Sequence, residues 1–152
     1  MILNSDKMDI REITTKEGML QNYNLLTEMY PALTLEAYSK ELDLMIPCNY
    51  GQVGVYIDNI CVGLTGFWIG SKLWCGKYME LDNVFISSEH RSKGVGNILF
   101  EYMKEKAIRE NCTMLALDSY TDNFKAHKFF YGHGYVPRGF HFINILDKSK
   151  VR

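Results

Sequence analysis

Apolar residues recur along this chain with two different periods, and the changes of period divide it into strands and helices. Alternation with period two, or a short apolar run, predicts strands over residues 8–13, 52–57, 60–69, 78–86, 114–120 and 140–146. Spacing of three and four residues predicts helices over residues 18–30, 35–46, 95–110 and 123–132. Asp58 and Asn59 form a tight hairpin turn between two strands, and Thr121 or Asp122 can cap the last helix.

The order of these elements is strand, two helices, three strands, helix, strand, helix and strand. This order predicts an α/β (α+β) fold in which helices flank a mixed sheet, rather than a doubly wound nucleotide-binding fold. No repeat, low-complexity tract or linker interrupts the sequence, so we expect a single domain over residues 1–152. An exposed final strand has a free edge that allows pairing across a homodimer.

A glycine-bearing loop joins the predicted strand 78–86 to the strongly amphipathic helix 95–110. Residues 91–96 read R-x-x-G-x-G, which is neither the nucleoside-triphosphate loop nor the dinucleotide loop. A strand, a short loop with glycine and a helix N-terminus together present free backbone N–H groups, which favour a phosphate or diphosphate. The alternative is an ordinary strand-to-helix turn with two solvated basic residues, Arg91 and Lys93.

The residues around this loop resemble motif A of the GNAT superfamily of acyl-CoA-dependent N-acetyltransferases. The resemblance begins in the strand Leu81–Ile86 and includes the R-x-x-G-x-G loop. Downstream, residues 123–130 and the pair Gly134-Tyr135 resemble motif B, which is written N-x-x-A-x-x-x-Y-x-x-x-G-[FY]. Two motifs in the right order, matched over residues 78–135, are more specific than either motif alone.

This resemblance implies acetyl-CoA as co-substrate, no metal, and a sheet that splays open at its centre. The opening lies between the strand before the loop and the strand after the following helix, and the pantetheine arm bonds there to exposed strand backbone. The residues assigned to the cofactor are Val84, Phe85 and Ile86 for pantetheine, Arg91, Ser92, Lys93, Gly94, Val95 and Gly96 for the diphosphate, and Asn123 and Phe130 from motif B.

Acetyl transfer requires a neutral amine, because an alkyl ammonium has a pKa of about 10.4. Glu80 and Asp82 are the candidate general bases, and both occupy positions at which branches of the family keep such a base. Period-two geometry places them on one strand face with Val84 and Ile86. For each carboxylate the alternative is a solvated charge or a structural ion pair. A bridging water can relay the proton, so neither needs to touch the amine.

The leaving thiolate requires a proton, and here the sequence departs from the family pattern. The motif B tyrosine falls on Phe130, and Tyr131 lies about 100° further around the helix. Either a local bulge lets Tyr131 act as the general acid, or the thiolate leaves without a side-chain acid. A thiol with a pKa of about 8.5 is a tolerable leaving group, so we expect reduced rather than abolished activity.

Composition restricts the partners of the chain. A net charge of −1 gives no support for general nucleic-acid or membrane binding. Without a signal-like start or an apolar run of about 18 residues, the expected location is cytoplasmic. Irregular spacing predicts reduced, mostly buried thiols rather than a metal site at Cys48, Cys61, Cys75 and Cys112. His127 is expected at the helix surface, and His141 either faces solvent or lines the acceptor cleft.

Together these observations predict an N-acetyltransferase that moves an acetyl group from acetyl-CoA to a primary amine by direct attack in a ternary complex. The acceptor is a small molecule or a peptide. An acyl-CoA-binding module with little turnover is the alternative, and Phe130 motivates it. A phosphate-loop protein unrelated to CoA is a third hypothesis, which binding of ATP without binding of CoA would indicate.

Overall fold

Among residues 7–152, which a computed structural model describes, five strands form one sheet in the order β1-β2-β3-β4-β5. The strands are β1 (Asp9–Ile13), β2 (Tyr50–Ile57), β3 (Ile60–Lys72), β4 (Gly76–Ile86) and β5 (Met114–Leu117). The helices are α1 (Lys16–Leu20), α2 (Tyr23–Met29), α3 (Leu35–Met45), α4 (Val95–Arg109) and α5 (Phe124–Gly132). Neighbours from β1 to β4 pair antiparallel, whereas β5 runs parallel to β4. This arrangement confirms the predicted mixed sheet flanked by helices.

Local chemistry explains where these elements begin and end. The hairpin between β2 and β3 is confirmed, with φ angles of 49° at Asp58 and 64° at Asn59, the positive values that a type I′ turn requires. The predicted helix 18–30 is two helices, because the chain breaks at Asn22, whose buried side chain donates to the Tyr56 hydroxyl at 3.0 Å. The cap of α5 is Asn123, whose side chain accepts from the Ala126 N–H, rather than Thr121 or Asp122.

The predicted final strand over residues 140–146 is wrong. The structure gives this segment no strand pairing, and most of its apolar side chains are exposed. Alternation along the sequence reports only which side chains can share a face, whereas a strand also needs a neighbouring strand with which to exchange backbone hydrogen bonds. Among residues 7–152 this segment has no such neighbour.

Two hydrophobic clusters lie on opposite faces of the sheet and fix its position between the helices. One cluster packs α4 and α5 against β2, β3 and β4, with Leu99, Phe100 and Met103 at its centre. The other packs α1, α2 and α3 against the opposite face, with Met19 and Leu42 fully buried. Burial of each such side chain contributes about 1.5–3 kcal/mol relative to exposure. Strand β4 is therefore held from both sides, with Met79 and Leu81 in the first cluster and Phe85 against the second.

A β-bulge at Asn83 interrupts β4 and changes which side chains share a face. Three steps along β4, from Asp82 to Phe85, pair with two steps along β3, and Asn83 has a φ of 51°. Up to Asp82, successive side chains alternate between the two faces of the sheet. Beyond the bulge, each side chain lies on the face opposite to the one that simple alternation predicts. Glu80 and Asp82 therefore lie on the face of α1–α3 together with Phe85. The expectation that Val84 and Ile86 share their face is wrong, because those two side chains pack on the α4 side.

An ion pair on the α4 side ties β1 to that helix. The Lys106 Nζ donates to Glu12 Oε2 at 2.9 Å, and the Tyr102 hydroxyl donates to Glu12 Oε1 at 2.7 Å. Partial burial pushes the pKa of Glu12 upward, but the bonds from these two partners outweigh it and hold that pKa below its ordinary value. The Lys106 ammonium is buried, so it depends on this carboxylate.

The substitution Glu12→Gln should lower the free energy of unfolding by about 1–3 kcal/mol at neutral pH, because it removes charged hydrogen bonds from a buried ammonium. The folded-state pKa of Glu12 lies below the unfolded value of 4.5. Its contribution is therefore complete above that value and is lost as the pH falls through the folded pKa. Urea unfolding at neutral and at acidic pH should show the difference between the two chains shrinking on acidification.

A matched control is Glu36→Gln, which removes the exposed pair between Glu36 and Lys40 at 2.7 Å. An exposed pair of this spacing contributes only about 0.2–0.5 kcal/mol. Equal losses in the two variants would contradict a special role for the buried pair.

Candidate active site

The sheet opens between β4 and β5 after a short paired stretch. The two strands pair from Tyr78 opposite Met114 to Leu81 opposite Leu117. Beyond that point β4 continues to Ile86 with β3 on one side only, while the strand structure of β5 ends. Backbone N–H and C=O groups on the open side of β4 therefore lack the ladder partners that a longer β5 would supply.

The loop predicted to bind an anion lies at the end of this opening. No backbone N–H of residues 92–97 forms a hydrogen bond of good distance and angle with an acceptor in residues 7–152. Ser92 and Gly94 have positive φ angles of 61° and 86°, and Gly94 caps α4. Left-handed residues at these two positions suit a loop whose successive N–H groups face a common point, which is the arrangement of an anion-binding nest.

Basic side chains surround the loop. Arg91 turns back along β4, where its Nε donates to the Ile86 carbonyl at 3.2 Å and its guanidinium lies over the Phe85 ring at 5.4 Å. Lys93 is exposed at the rim. The loop thus combines unpaired N–H groups, a helix N-terminus and local positive charge, all of which favour an anionic ligand.

The two candidate bases on β4 differ in how they are held. Asp82 accepts from the Trp68 indole Nε1 at 3.0 Å through Oδ2 and from the Asn83 backbone N–H at 2.9 Å through Oδ1. The Glu80 carboxylate forms neither a hydrogen bond nor an ion pair with any of residues 7–152. Asp82 is therefore fixed in place by its neighbours, whereas the carboxylate of Glu80 is available to a ligand.

A shallow groove of about 390 Å³ runs along this face of the sheet. Its lining comprises Cys48, Trp68, Ile69, Gly70, Tyr78 and Glu80. The Trp68 ring packs on Tyr50 with ring centroids 4.8 Å apart, so the indole has a supported position beside the carboxylates. A carboxylate beside an aromatic wall suits a ligand that carries an amino group.

The side chains that pack behind Glu80 and Asp82 were not predicted from the sequence to belong to the site. The Tyr30 hydroxyl donates to Asn83 Oδ1 at 2.8 Å and so bridges α2 to the bulge. Burial and the nearby charge of Asp82 raise the pKa of Tyr30, and burial raises the pKa of Tyr50 to about 12. The spacing of residues in the sequence does not reveal these contacts. The one local signal is an asparagine, Asn83, within a strand pattern, because asparagine tolerates the positive φ of a bulge.

A second groove, of about 370 Å³, lies between α4 and α5 on the other side of the loop. Its lining comprises Asn97, Lys125, Lys128, Phe129, Gly132 and His133. Neither lysine forms an ion pair with any of residues 7–152. The groove adjoins the loop, because a Cβ added to Gly96 would lie 3.2 Å from the Phe129 ring.

Comparison with known proteins decides the family. The sequence model of the acetyltransferase (GNAT) family matches residues 19–135. This chain belongs to the GNAT family. A curated relative, the uncharacterized N-acetyltransferase YhdJ of Bacillus subtilis (strain 168), is 22% identical over 122 residues, which cover 80% of this chain and 86% of that protein.

Solved structures share the GNAT fold. An aminoglycoside N-acetyltransferase, AAC(6')-Iy in complex with CoA, superposes with a TM-score of 0.78 at 16% identity, covering 97% of this chain and 99% of its own. The ribosomal-protein-alanine N-acetyltransferase of Brucella melitensis biovar Abortus 2308 has a TM-score of 0.79 at 17% identity, covering 93% of this chain and 100% of its own. Because proteins of this fold act on such different acceptors, the fold does not identify the acceptor of this GNAT protein, which must be inferred from its own residues.

Helix α5 shows where the two motif B candidates lie in this GNAT protein. It is a continuous α-helix from Phe124 to Gly132. It therefore lacks the local bulge that would turn Tyr131 toward the position of the motif B tyrosine. Phe130 stacks on Phe100 with ring centroids 5.8 Å apart and packs into the core beside Tyr135. Tyr131 is 57% exposed. The regular helix therefore separates the two side chains, as the rotation of about 100° per residue requires.

The substitution Tyr131→Phe should change kcat by less than about twofold, because the regular helix turns this exposed side chain about 100° away from position 130. A positioned general acid contributes about 10²–10⁴-fold, so the two cases are well separated. Steady-state release of free thiol from acetyl-CoA measures the effect. A hundredfold loss would contradict this placement and make Tyr131 the acid.

Two histidines singled out from the sequence contact the chain segment that follows β5. His127 is half-buried on α5 and bonds the Tyr120 carbonyl at 2.9 Å, while His141 contacts Asp118 Oδ2 at 2.8 Å. All four cysteines are free thiols, but the expectation that they are mostly buried is wrong: Cys48 is exposed and the others are half-buried. Burial raises the pKa of Cys61 to about 11.

Residues 7–152 contain neither a cluster of metal ligands nor a helix that could span a membrane. No three His, Cys, Asp or Glu side chains in this range are placed to hold a metal ion. Within the same range, each helix is too short or too polar to cross a membrane.

Proposed function

We propose that this protein transfers an acetyl group from acetyl-CoA to a primary amine by direct attack in a ternary complex. The observation that carries the proposal is the opening between β4 and β5, which leads from the anion-binding loop to the face that holds Glu80 and Asp82. A long ligand with a diphosphate in its middle and a reactive thioester at one end matches this path. Membership in the GNAT family supports the same co-substrate.

Coenzyme A is a long molecule, so its diphosphate, pantetheine arm and adenosine contact different parts of the protein. With the diphosphate on the N–H groups of residues 92–96, the pantetheine arm extends along the open backbone of Val84, Phe85 and Ile86, like an added strand. The adenosine end, with its additional phosphate, then points outward into the groove that contains Lys125 and Lys128. Asn123 and Phe130 flank the path from α5.

The chemistry then follows from the two carboxylates. Glu80, which has no described partner, takes the proton of the bound ammonium directly or through one water. The neutral amine attacks the thioester carbon, so a C–N bond forms and the C–S bond breaks. Backbone N–H groups near Val84 and Phe85 stabilise the thioester oxygen as charge develops on it. Because α5 places no acid at the motif B position, the thiolate takes its proton from water.

The groove beside Glu80 favours a cationic acceptor, either a small molecule or a peptide amine. Asp82 holds the Trp68 indole in place, and an indole face attracts a cation by about 0.5–2 kcal/mol. Among solved relatives, AAC(6')-Iy has been crystallised with a bisubstrate analogue of CoA and acetylneamine. An acceptor with several amino groups would use the same complementarity here.

The test is the release of free thiol from acetyl-CoA in the presence of a panel of aminoglycosides, polyamines, amino acids and peptides. Amine-dependent release is the expected result. Coenzyme A binding with no release for any amine would favour the acyl-CoA-binding module, which the phenylalanine at position 130 motivates. If calorimetry detects binding of ATP but no binding of coenzyme A, both the acetyltransferase and the acyl-CoA-binding module are overturned.

A further inference from the structure

The backbone groups that β4 presents to the opening of the sheet depend on its bulge. The Thr113 N–H donates to the Lys77 carbonyl at 2.8 Å, so the backbone of Lys77 faces β5. Backbone groups alternate sides along a strand, so Leu81 faces β5 as well. An uninterrupted strand would therefore turn the backbone groups of Asn83 into the opening and those of Val84 toward β3.

The observed strand has the reverse arrangement beyond the bulge. The Ser87 N–H donates to the Val62 carbonyl of β3 at 2.8 Å. Alternation back along β4 then directs the backbone groups of Ile86 and Val84 into the opening. The Ile86 carbonyl is consistent with this direction, because it accepts from Arg91 Nε at 3.2 Å instead of pairing with β3. The Val84 N–H thus faces the opening beyond the paired stretch of β5.

The conformation of one residue, Asn83, causes this reversal. Its φ of 51° accompanies the shift of register between β3 and β4. Two hydrogen bonds hold it: its backbone N–H donates to Asp82 Oδ1 at 2.9 Å, and its side-chain Oδ1 accepts from the Tyr30 hydroxyl at 2.8 Å. The first bond is local, whereas the second spans 53 positions of the sequence. Tyr30 therefore anchors the bulge to the end of α2.

The last residues of α2 contact the open segment of β4 at both of its ends. Besides the bond from Tyr30, Glu28 Oε2 accepts from the Ser88 N–H at 3.3 Å. Glu28 is exposed, whereas the bond between Tyr30 and Asn83 is partly buried and so is better shielded from water. Burial and the nearby charge of Asp82 raise the pKa of Tyr30, so its hydroxyl stays protonated and keeps donating at neutral pH.

We propose that Tyr30 is a positioning residue for acetyl transfer: its bond to Asn83 holds the bulge that aims the Val84 N–H at the thioester oxygen of bound acetyl-CoA. This inference rests on the proposed function, which lays the pantetheine arm along residues 84–86. A donor accelerates the reaction only when it points to the place where negative charge develops. Tyr30 itself does not touch the reacting atoms and acts through Asn83.

Two substitutions remove the bond from either side. Tyr30→Phe deletes the donor, and Asn83→Gly deletes the acceptor while allowing a positive φ. Each should lower kcat by about 10- to 100-fold, because a displaced donor loses most of its effect on the transition state. The affinity for coenzyme A, which has no acetyl carbonyl, should be unchanged in calorimetry.

The double variant tests whether the two side chains act through one bond. It should lose no more activity than the more damaging single variant, because the second substitution has nothing further to remove. Losses that multiply in the double variant would show independent roles and would overturn the proposal.

The matched control is Tyr23→Phe, which removes a hydroxyl from the same helix. The Tyr23 hydroxyl donates to the Leu33 carbonyl at 2.7 Å rather than to β4. This variant should retain the native kcat. Equal losses in Tyr23→Phe and Tyr30→Phe would show a general loosening of α2 and would overturn a specific role for Tyr30.

Acetyl-CoA labelled with ¹³C at the acetyl carbonyl gives a readout that needs neither an amine nor turnover. A hydrogen bond from the Val84 N–H polarises the carbonyl, so its resonance should move downfield when acetyl-CoA binds the native chain. In Tyr30→Phe the bound resonance should return toward that of unbound acetyl-CoA, and in Tyr23→Phe it should keep the native position.

The same spectra separate failure of this inference from failure of the proposed function. Identical bound resonances in the native chain and in Tyr30→Phe would overturn the role of Tyr30, while amine-dependent thiol release would still support acetyl transfer. A native chain that does not bind acetyl-CoA would overturn both.

Discussion

Replacing Gly94 by valine should weaken the binding of coenzyme A by about 10- to 100-fold. Gly94 has a φ of 86°, and a Cβ added there meets no atom within 4 Å. The cost is therefore conformational rather than steric: a β-branched residue in this region costs about 1–3 kcal/mol, and 1.4 kcal/mol is tenfold in affinity. Valine relieves the strain by moving the loop, which disperses the N–H groups that converge on the diphosphate.

The matched variant Gly94→Asn separates conformation from bulk, because asparagine tolerates positive φ far better than valine does. It should retain most of the affinity that calorimetry measures for the native chain. Equal losses for valine and asparagine would show that the side chain itself obstructs the ligand. Unchanged affinity in both variants would contradict the assignment of the diphosphate to this loop.

Replacing Glu80 by glutamine should lower kcat/KM for the amine by about 10²–10³-fold and leave the affinity for coenzyme A unchanged. Glu80 lines the groove proposed for the acceptor, and its carboxylate has no partner among residues 7–152, so we propose that a bound ammonium is deprotonated there. Steady-state kinetics with acetyl-CoA and an accepted amine measure kcat/KM, and calorimetry measures the affinity for coenzyme A.

Two further substitutions sharpen this test. Glu41→Gln, at an exposed position on α3, should leave the rate unchanged. Asp82→Asn should mainly raise KM for the acceptor, because it disturbs the bond that orients the Trp68 indole. A larger loss of kcat in Asp82→Asn than in Glu80→Gln would exchange the roles of the two carboxylates.

Much of this fold follows from periodicity, and the exceptions have local causes. Helix α4 and the hairpin at Asp58-Asn59 were predictable, because an amphipathic stripe and a type I′ turn each need only neighbouring residues. The break at Asn22 depends on a hydrogen bond to Tyr56, 34 positions away. Residues 140–146 have strand periodicity, but no strand of residues 7–152 pairs with them.

The site divides in the same way. The loop at 91–96 is a local feature, so its motif predicts both its position and its N–H groups. The predicted assignment of β4 side chains to the two sheet faces was wrong beyond Asn83, because a bulge there inserts one residue and reverses the alternation. The bond between Trp68 and Asp82 joins two strands across the sheet, and no spacing in one sequence reveals such a pair.

A crystal structure with coenzyme A bound tests the central claim most directly. The account predicts the diphosphate on the backbone N–H groups of residues 92–96 and the pantetheine arm between the open part of β4 and the chain after Leu117. The sulfur should then lie on the side of Glu80. An empty loop, or β4 and β5 paired along the full length of β4 with the ligand elsewhere, would contradict it.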